Sequence, residues 1–553
     1  MRIHPLLLVA GISLPAMFAH ADDGIPSTLT PKVIVSTAAE PIAPGPFQPT
    51  WQSLEQYQVP EWFRDAKFGI WAHWGPQCQP EDGDWYARNM YMEGSRQYKD
   101  HLARYGHPSV AGFKDIIHEW KAEKWDPDRL VALYKRTGAQ YFFAMANHHD
   151  NFDMWDSKYQ PWNSVAVGPQ KNIIAGWAKA ARAQGLPFGV SVHGSRAWSW
   201  YEPSQTSDKN GPKAGVPYDG KLTKADGKGQ WWDGLDPQDL YAQNHKPGAK
   251  LEWSWSLNKG SSVPDQAYCE KFYNRTADLI EKYQPDLLYF DDTVLPIWPV
   301  SDAGLKIAAD FYNTNLARTH GKSAGVLFGK ILDEQQRKCI TWDIERGVPA
   351  TGLPFAWQTD TCIGGWHYDR GLYDRNGYKS AQKVIQMLAD IVSKNGNLLL
   401  NVPVRGDGSI DEKEEKVLEG IAAWMDVNKQ AIFGTRPWKT FGEGPASAGA
   451  KLSSQGFNEG KGKPFTTDDI RFTVGKDGTL YAIALGWPTK LLTIKSLGAS
   501  SGLLDQKIAS VELLGSTAVL NWKQTDAGLE IASVPSAPAS GAAAAAVFKI
   551  TLR

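Results

Sequence analysis

Histidine and acidic side chains stand directly after several short apolar runs of this chain, where strands of a sheet would end. They are His73, His148, His149, His193 and Asp291, with the acidic pair Asp343 and Glu345 in a comparable place. A neutral imidazole offers one hydrogen-bond donor and one acceptor, which suits recognition of sugar hydroxyls. Two separated carboxyl groups suit glycoside hydrolysis, in which one attacks or guides water and the other protonates the leaving oxygen. The pattern therefore predicts a sugar-binding pocket supplied with hydrolytic carboxylates.

Asp291 and Asp292 end the stretch 285–292, a short apolar run bounded by proline and charge. Such a run is typical of a buried strand in a parallel sheet. At the C-terminal end of a barrel strand an aspartate is held rigidly and partly desolvated, as a nucleophile or a catalytic acid requires. The alternative interpretation is that Asp291 or Asp292 caps the next helix.

The segment His148-His149-Asp150 raises the question of a metal site. Adjacent residues of an extended segment point to opposite sides, so these three do not chelate one ion well. The sequence also lacks HExxH or a similar spacing. It predicts neither a metal nor any other cofactor.

Apolar runs alternate with amphipathic segments throughout residues 51–438. Eight runs have strand character, at residues 68–73, 140–146, 187–192, 286–290, 324–327, 339–342, 356–359 and 397–402. Between several of them the spacing is helical, as after Asp126, an N-cap followed by Pro127. Strand–helix–strand alternation implies parallel pairing with right-handed crossovers. The prediction is an α/β fold, a (β/α)8-like barrel in which some helices are missing or replaced by loops.

Residues 196–263 interrupt this alternation. The segment is polar and glycine-rich, yet it carries Trp198, Trp200, Trp231, Trp232, Trp253 and Trp255. A long aromatic insertion after a barrel strand predicts a functional lid rather than a disordered linker.

Residues 439–553 have a different composition, with alternating apolar segments separated by glycine-rich turns. They predict a small antiparallel β-sandwich with strands at 470–473, 480–485, 491–494, 518–522 and 548–552. A structural cap on the barrel and a carbohydrate-binding module are both compatible with this pattern.

The N-terminus has the features of a secretory signal peptide: Arg2, the apolar run 5–18, and Ala19-His20-Ala21. We expect residues 1–21 to be removed after Ala21 and the protein to be periplasmic or secreted. The run is too short to span a bilayer, and no other stretch qualifies. Residues 22–50, rich in Pro, Ala and Thr, predict an extended and poorly ordered lead-in.

Composition narrows the function classes further. The 59 basic and 60 acidic residues balance, so nothing favours nucleic-acid binding. The 24 tryptophans supply flat apolar faces that suit sugar rings as well as cores. Cys78, Cys269, Cys339 and Cys362 lack metal-site spacing; Cys339 and Cys362 could pair after export, but free thiols are preferred. A homo-oligomer is left open.

Together these residues resemble the α-L-fucosidases of glycoside hydrolase family 29, from Trp62 to about Trp438, with a weaker likeness in the sandwich. The resemblance rests on the segments 67–75, 84–86, 147–152, 285–292, 396–402 with 407–408, and 431–437. It implies an exo-acting enzyme that releases terminal α-L-fucose from fucosylated oligosaccharides or glycoconjugates. The implied mechanism is a retaining double displacement without a cofactor.

The resemblance also assigns residues. It implies that Asp291 is the nucleophile and that His73, His148 and His149 bind the sugar. Asp84 and Trp85 match a segment that contacts fucose hydroxyls. To these predicted substrate-binding residues we add His193, at its own strand end, and Trp366, expected to shape the pocket or the aglycone side.

The general acid/base is less firmly placed by sequence. Residues 341–347 match a family segment that ends in the glutamate, which makes Glu345 the choice and Asp343 the fallback. Arg346 beside it could hold a carboxylate ionised or contact substrate. Glycosides of other sugars on the same scaffold, such as α-galactosides, and a catalytically silent sugar-binding protein remain the alternatives.

The sequence also departs from the family pattern. Asp84 replaces a glutamate, Tyr289 replaces a tryptophan, and Asp292 replaces a small residue beside Asp291. Two adjacent acids raise each other's pKa, so Asp292 is expected to be turned away or paired. The departures bear on substrate preference more than on reaction type.

Overall fold

The structure is a computed structural model that describes residues 25–251, 260–449, 452, 457–538 and 541–553, with only the backbone of 541 and 542. The predicted signal peptide and two tryptophans of the insertion, Trp253 and Trp255, lie outside these residues. Among the described residues, no helix combines the length and apolar character needed to cross a bilayer.

Eight parallel strands close into a barrel in sequential order, with β1 paired to both β2 and β8. They are β1 Phe68–Ala72, β2 Tyr141–Asn147, β3 Phe188–Val192, β4 Leu287–Phe290, β5 Val326–Gly329, β6 Thr341–Asp343, β7 Trp357–Cys362 and β8 Gly396–Asn401. Nearly every strand residue is buried, which explains why the strands appear in the sequence as short apolar runs. The predicted (β/α)8-like barrel is confirmed.

The α-helices of the described chain lie around and between these strands. They are α1 Trp51–Leu54, α2 Glu61–Ala66, α3 Tyr86–Asn89, α4 Arg96–Arg104, α5 Phe113–Glu119, α6 Pro127–Thr137, α7 Ile173–Ala183, α8 Ala197–Trp200, α9 Pro237–Tyr241, α10 Gln266–Tyr283, α11 Ala303–Arg318, α12 Gln336–Cys339, α13 Arg370–Asp374, α14 Ala381–Ser393 and α15 Glu412–Asn428. Asp126 caps α6 as predicted, accepting from the Arg129 amide. Between β5 and β6 only the four-residue α12 forms, and residues 344–356 before β7 form no helix. The expectation of missing barrel helices is therefore confirmed.

Two apolar layers hold the barrel together. The inner layer fills the barrel with large side chains, including Trp71, Tyr141, Phe143, Tyr289 and Phe328. The outer layer packs the opposite strand faces against the surrounding helices. Because the interior is filled, the cleft can open only at the strand ends.

The described part of the predicted lead-in, residues 25–50, contacts the barrel. Residues 25–50 form no helix and only one bridge, Val33 to Ser301, yet they pack along α11. The Val35 amide donates to Asp302 Oδ1 at 2.9 Å, and the Phe47 amide donates to Asn313 Oδ1 at 3.0 Å. Backbone hydrogen bonds to the barrel replace the secondary structure that this sequence cannot form.

Two antiparallel sheets form the C-terminal part, which confirms the predicted sandwich. Their strands are β9 Arg436–Glu443, β10 Ile470–Val474, β11 Leu480–Ala484, β12 Leu492–Ile494, β13 Ile508–Leu513, β14 Trp522–Gln524, β15 Leu529–Ile531 and β16 Ala546–Leu552. One sheet has the order β13-β16-β11-β10-β9 and the other β12-β15-β14, and apolar side chains of both sheets share one core. Strands β9, β13 and β15 were not predicted, and β14 lies later than its prediction.

The four cysteines are free thiols, as the sequence analysis preferred. Cys78, Cys269, Cys339 and Cys362 are all buried, and none forms a disulfide. Burial raises the pKa of each thiol to about 12. Thiols in such surroundings are unreactive.

Candidate active site

Asp291 lies immediately after β4, at the C-terminal mouth of the barrel, with its side chain 27% exposed. Its Oδ2 accepts a hydrogen bond from His193 Nδ1 at 3.1 Å and lies 3.2 Å from His149 Nε2. Its Oδ1 lies 2.6 Å from the Lys330 ammonium. Both carboxylate oxygens are therefore fixed, while part of the group faces the cleft.

Lys330 follows β5 and joins two carboxylates. Its Nζ lies 2.7 Å from Glu345 Oε2 as well as 2.6 Å from Asp291 Oδ1. Two oxygens held by one ammonium are separated by at most about two hydrogen-bond lengths, roughly 5.5 Å. The structure thus brings together the two residues that the sequence singled out as the catalytic pair.

Charge sets the protonation state of this cluster. Burial by itself would raise the pKa of the Asp291 carboxyl, but Lys330 and the hydrogen bonds from His149 and His193 outweigh it and hold that pKa well below its usual range. Burial likewise opposes the charge on Lys330, yet Asp291 and Glu345 raise its pKa. Asp291 is therefore an anion and Lys330 a cation at neutral pH.

Five imidazole rings line the cleft beside Asp291: His73, His148, His149, His193 and His367. The His73 ring centroid lies 5.1 Å from that of His148, 4.9 Å from that of His193 and 4.8 Å from that of His367. Burial, followed by repulsion from neighbouring rings, lowers the pKa of His73 and His148 well below the usual value. Burial lowers the pKa of His193 to about 4 against the opposing effect of Asp291. These three rings are neutral at pH 7.

Hydrogen bonds orient two of these rings. Gln77 Nε2 donates to His148 Nδ1 at 2.7 Å, so the His148 proton is on Nε2. His149 Nδ1 donates to the His193 carbonyl oxygen at 2.8 Å. Within the described residues, neither ring nitrogen of the buried His73 has a hydrogen-bond partner. Buried polar atoms are rarely left unpaired, so His73 is suited to bind a hydroxyl group of a ligand.

Asp84 and Trp366 lie together at the rim of the same cleft. Asp84 Oδ1 accepts from the His367 amide at 2.6 Å, and Oδ2 accepts from the Trp366 amide at 3.3 Å. The Trp366 ring centroid lies 5.7 Å from that of His73. Asn401, the last residue of β8, accepts from the His73 amide at 2.9 Å and donates to the Trp366 carbonyl oxygen at 2.8 Å. The rim and the pocket floor are thus held by one asparagine.

The aromatic insertion supplies a wall of the cleft. The Trp200 ring centroid lies 5.6 Å from that of His149 and 6.1 Å from that of Trp85. Next to it, Trp198 stacks on His245 with centroids 3.7 Å apart. The part of the insertion that the structure describes therefore lies against the pocket, as a lid would.

Asp292 is turned away from its neighbour and is paired, as expected. Ser195 Oγ donates to its Oδ2 at 2.8 Å, and Arg196 Nη2 lies 3.2 Å from its Oδ1. The Thr293 amide donates to Oδ1 at 2.7 Å. Asp292 thus anchors the start of the insertion to the end of β4.

The two candidates for the acid/base occupy different places. Asp343 ends β6 and is buried inside the barrel, where Gln358 Nε2 donates to its Oδ2 at 2.9 Å. Burial, reinforced by nearby Asp360, raises the pKa of the Asp343 carboxyl. Glu345 instead reaches the cleft, with 31% of its side chain exposed. Position therefore favours Glu345 over Asp343.

Tyr289, which stands at the end of β4 close to Asp291, forms a hydrogen bond with another acidic residue. Its hydroxyl donates to Asp360 Oδ2 at 2.7 Å beneath the cleft. Burial raises the pKa of Asp360 to about 7, although Lys330 opposes the shift. The Lys330 ammonium lies 5.6 Å from the Tyr289 ring centroid. The tyrosine at this position thus contributes a hydrogen bond to the acidic side of the site.

Among the residues that the structure describes, two groups of side chains could hold a metal ion by proximity alone. They are His73, His148 and His193, and His149, His193 and Asp291, each with ligand atoms within 4.8 Å of one another. The two adjacent histidines fall into different groups, in line with their opposite directions along the chain. The absence of a metal remains a sequence prediction.

Sequence reasoning missed three residues of this site, Lys330, His367 and Asp360. Lys330 comes after β5 and His367 lies in the loop beyond β7, and neither directly follows a predicted apolar run as the selected histidines do. Asp360 lies within β7, where a charged residue in an apolar barrel was a signal in itself.

A barrel whose mouth combines two close carboxylates with a pocket of neutral imidazoles and indoles defines a glycoside hydrolase. A family model described as α-L-fucosidase matches residues 34–430, and one described as α-L-fucosidase C-terminal domain matches residues 463–551. Since the first match covers more than half of the chain, the chain belongs to the α-L-fucosidase family.

Two human relatives agree with this assignment. Plasma α-L-fucosidase of Homo sapiens is 25% identical over 488 residues, which cover 86% of each chain. Tissue α-L-fucosidase of Homo sapiens is 24% identical over 528 residues, which cover 92% of each chain.

Solved structures share the fold. An α-L-fucosynthase from Thermotoga maritima superposes with a TM-score of 0.64 at 23% identity, covering 92% of this chain and 100% of the other. An α-L-fucosidase from Bacteroides thetaiotaomicron, described as a trapped covalent intermediate, has a TM-score of 0.56 at 16% identity, covering 90% and 97%.

Proposed function

We propose that this chain hydrolyses terminal α-L-fucosides of oligosaccharides or glycoconjugates by a retaining double displacement. Asp291 is the nucleophile and Glu345 the general acid/base. The observation that carries the proposal is the pair of carboxylates at either side of the Lys330 ammonium, 2.6 and 2.7 Å from it. Carboxyl groups about 5–5.5 Å apart are typical of retaining glycosidases.

In the first step an Asp291 oxygen bonds to the anomeric carbon while the glycosidic C–O bond breaks. Glu345 gives its proton to the departing oxygen, and the product is a fucosyl ester of Asp291. In the second step Glu345 takes a proton from water, the hydroxide adds to the anomeric carbon, and Asp291 is released. The trapped covalent intermediate of the Bacteroides relative supports such a sequence.

Lys330 prepares the nucleophile. It keeps Asp291 ionised in a buried place where desolvation alone would favour the neutral acid. Its own charge needs no rearrangement during the reaction, which is the advantage of a preorganised electrostatic environment. The contacts from His149 and His193 add hydrogen bonds to the same carboxylate.

The histidine pocket recognises the sugar. Neutral rings of His73, His148 and His193 each offer one donor and one acceptor, which matches hydroxyl groups that also do both. Asp84, Trp85 and Trp366 complete the substrate-binding set at the rim. No metal is needed for this chemistry, so we expect turnover to be unchanged by EDTA.

The test is hydrolysis of two aryl glycosides that differ at the ring substituent. We expect release of 4-nitrophenol from the α-L-fucoside and, since a methyl-sized apolar wall discriminates by about 1–3 kcal/mol, roughly 5- to 150-fold slower release from the α-D-galactoside. Release from the galactoside alone would contradict the proposed sugar. Binding of the fucoside without any release would support a silent sugar-binding protein instead.

We also propose export with cleavage after Ala21, on the basis of residues 1–21. N-terminal sequencing of the mature protein should begin at Asp22. A mature protein that retains Met1 and stays in the cell would contradict this.

A further inference from the structure

The connection between β9 and β10 of the sandwich reaches back to the barrel. Its described part includes residues 457–469, and Glu459 within it has a side chain only 15% exposed. Glu459 Oε2 accepts from Arg346 Nε and from Thr361 Oγ1, both at 3.0 Å, and Oε1 lies 3.0 Å from Lys379 Nζ. One carboxylate of the C-terminal domain thus binds three side chains of the barrel.

This carboxylate is held as an anion. Burial would raise the pKa of Glu459, but Lys379 and then Arg346 outweigh burial and lower it. A buried acid that is fully paired in this way is costly to disturb, because removing it leaves two cations without their partner.

The contact falls on the residue that follows Glu345. The Asn458 amide donates to the Arg346 carbonyl oxygen at 3.0 Å, and the Phe457 ring centroid lies 4.4 Å from the Arg346 guanidinium. Arg346 has a left-handed backbone with φ of 46°, a conformation that neighbouring contacts must maintain. At Gly347 a Cβ atom would lie 2.7 Å from Asn458 Cβ, so the two segments approach closely.

The opposite edge of the Glu345 segment is held by β7. The Ile344 amide donates to the Gln358 carbonyl oxygen at 2.9 Å, and the Arg346 amide donates to the Asp360 carbonyl oxygen at 3.0 Å. Since residues 344–356 form no helix, the Glu345 segment lacks the element that usually supports a barrel loop. Glu459 and its neighbours contact the same segment from the C-terminal domain, and Glu459 also accepts from Thr361 of β7.

We propose that Glu459 is a positioning residue for Glu345, and that the C-terminal domain thereby completes the active site of the barrel. Glu459 touches no reacting atom. It fixes Arg346, and through the chain it fixes the direction in which Glu345 presents its carboxyl group to the leaving oxygen. Glu459 lies between the ranges that the two family models match, 34–430 and 463–551. The inference rests on the proposed function of Glu345 as general acid/base.

The experiment compares two aryl α-L-fucosides, with 4-nitrophenol and with phenol as leaving group. A misplaced acid matters more for the poorer leaving group, because that oxygen needs its proton in the transition state. For Glu459→Ala we expect kcat/KM to fall about threefold on the nitrophenyl substrate and about 10- to 100-fold on the phenyl substrate. A loss equal for both substrates, or no loss, would overturn the proposal and leave Glu459 a structural brace.

Matched variants complete the test. Glu443→Ala removes another carboxylate of the sandwich, which accepts hydrogen bonds from the Lys495 and Ser496 amides. This variant should leave unchanged the leaving-group ratio, which is kcat/KM on the nitrophenyl substrate divided by kcat/KM on the phenyl substrate. Glu459→Gln keeps an acceptor oxygen for Arg346 or Thr361. It should therefore increase the leaving-group ratio less than Glu459→Ala does. If Glu459→Ala does not fold, Glu459→Gln decides alone: an increased ratio supports the proposal and an unchanged ratio overturns it.

Glu345→Ala is measured in parallel. If Glu345→Ala does not increase the leaving-group ratio, the proposed function of Glu345 is wrong. If it does and the Glu459 variants do not, only the positioning inference fails.

Discussion

The mouth of the barrel is divided between a half of histidine rings and a half of carboxylates joined by an ammonium. The ends of β1, β2 and β3 carry His73, His148, His149 and His193, three of them neutral at pH 7. The ends of β4, β5 and β6 carry Asp291, Lys330 and Glu345, joined through one ammonium. Binding of a neutral sugar needs donors and acceptors that cost little to desolvate, whereas bond cleavage needs charges whose burial is compensated by pairing. The division places recognition and chemistry on neighbouring walls of one cleft.

Removal of the nucleophile is expected to have the largest effect. Asp291→Ala should lower kcat by about 10⁴- to 10⁶-fold on 4-nitrophenyl α-L-fucoside, as removal of a covalent catalyst does elsewhere. The control is Asp286→Ala, just before the opposite end of the same strand, where the carboxylate accepts the Phe188 amide and pairs with Arg318. It should change thermal stability more than turnover. Near-full activity of Asp291→Ala would contradict the assignment of bond cleavage to the charged half of the mouth.

Glu345→Ala should follow in size. On a substrate with a poor leaving group we expect a loss of about 10²- to 10⁴-fold, and a much smaller loss on the nitrophenyl substrate. Asp343→Asn is the matched variant, because its carboxyl group is buried in the barrel beneath the cleft. If Asp343→Asn steepens the leaving-group dependence and Glu345→Ala does not, the acid/base assignment is reversed.

Lys330→Met tests the charge that joins the two carboxylates. Without the ammonium, burial raises the pKa of Asp291, so the fraction of ionised nucleophile falls as pH decreases. The acid limb of kcat/KM should therefore move to higher pH, with a loss of about 10- to 100-fold at pH 7 that grows towards pH 4. Lys306→Met, which removes a lysine paired with Asp302 on α11, should leave the pH profile in place. An unshifted acid limb in Lys330→Met would contradict the electrostatic role.

The smallest effect on activity is expected from a substitution in the histidine half of the mouth. His73→Ala should raise KM about 5- to 30-fold with a smaller change in kcat, since a lost hydrogen bond to a hydroxyl is worth about 1–2 kcal/mol. His101→Ala is the control, a buried histidine outside the cleft that contacts Tyr86 and Ala111. A loss in kcat alone for His73→Ala would assign this histidine to chemistry rather than to binding.

The same division explains what the sequence could predict. Most barrel strands were found because burial on both faces favours short apolar runs, although β6 and β7 also contain polar and charged residues. The histidines were found because they follow such runs directly. Lys330 was missed because a lone lysine after a strand gives no sign of its two partners, Asp291 and Glu345, which lie 39 and 15 residues away in the chain. Strand β9 was missed because its residues are only half-buried and do not alternate.

The contacts of the lead-in and of Glu459 with the barrel were also beyond sequence reasoning. Both depend on hydrogen bonds and ion pairs across long separations in the chain, such as that between Val35 and Asp302. Composition and periodicity report local structure and burial, and they carry no information about such pairs.

The central claim is that Asp291 attacks the sugar directly, and the stereochemistry of the first product tests it most directly. Proton NMR recorded during the first minutes of hydrolysis, before the released sugar mutarotates, distinguishes the two anomers. Double displacement predicts that α-L-fucose appears first and the β anomer grows in later. If β-L-fucose appears first, water attacks the sugar directly and the assignment of Asp291 as nucleophile is wrong.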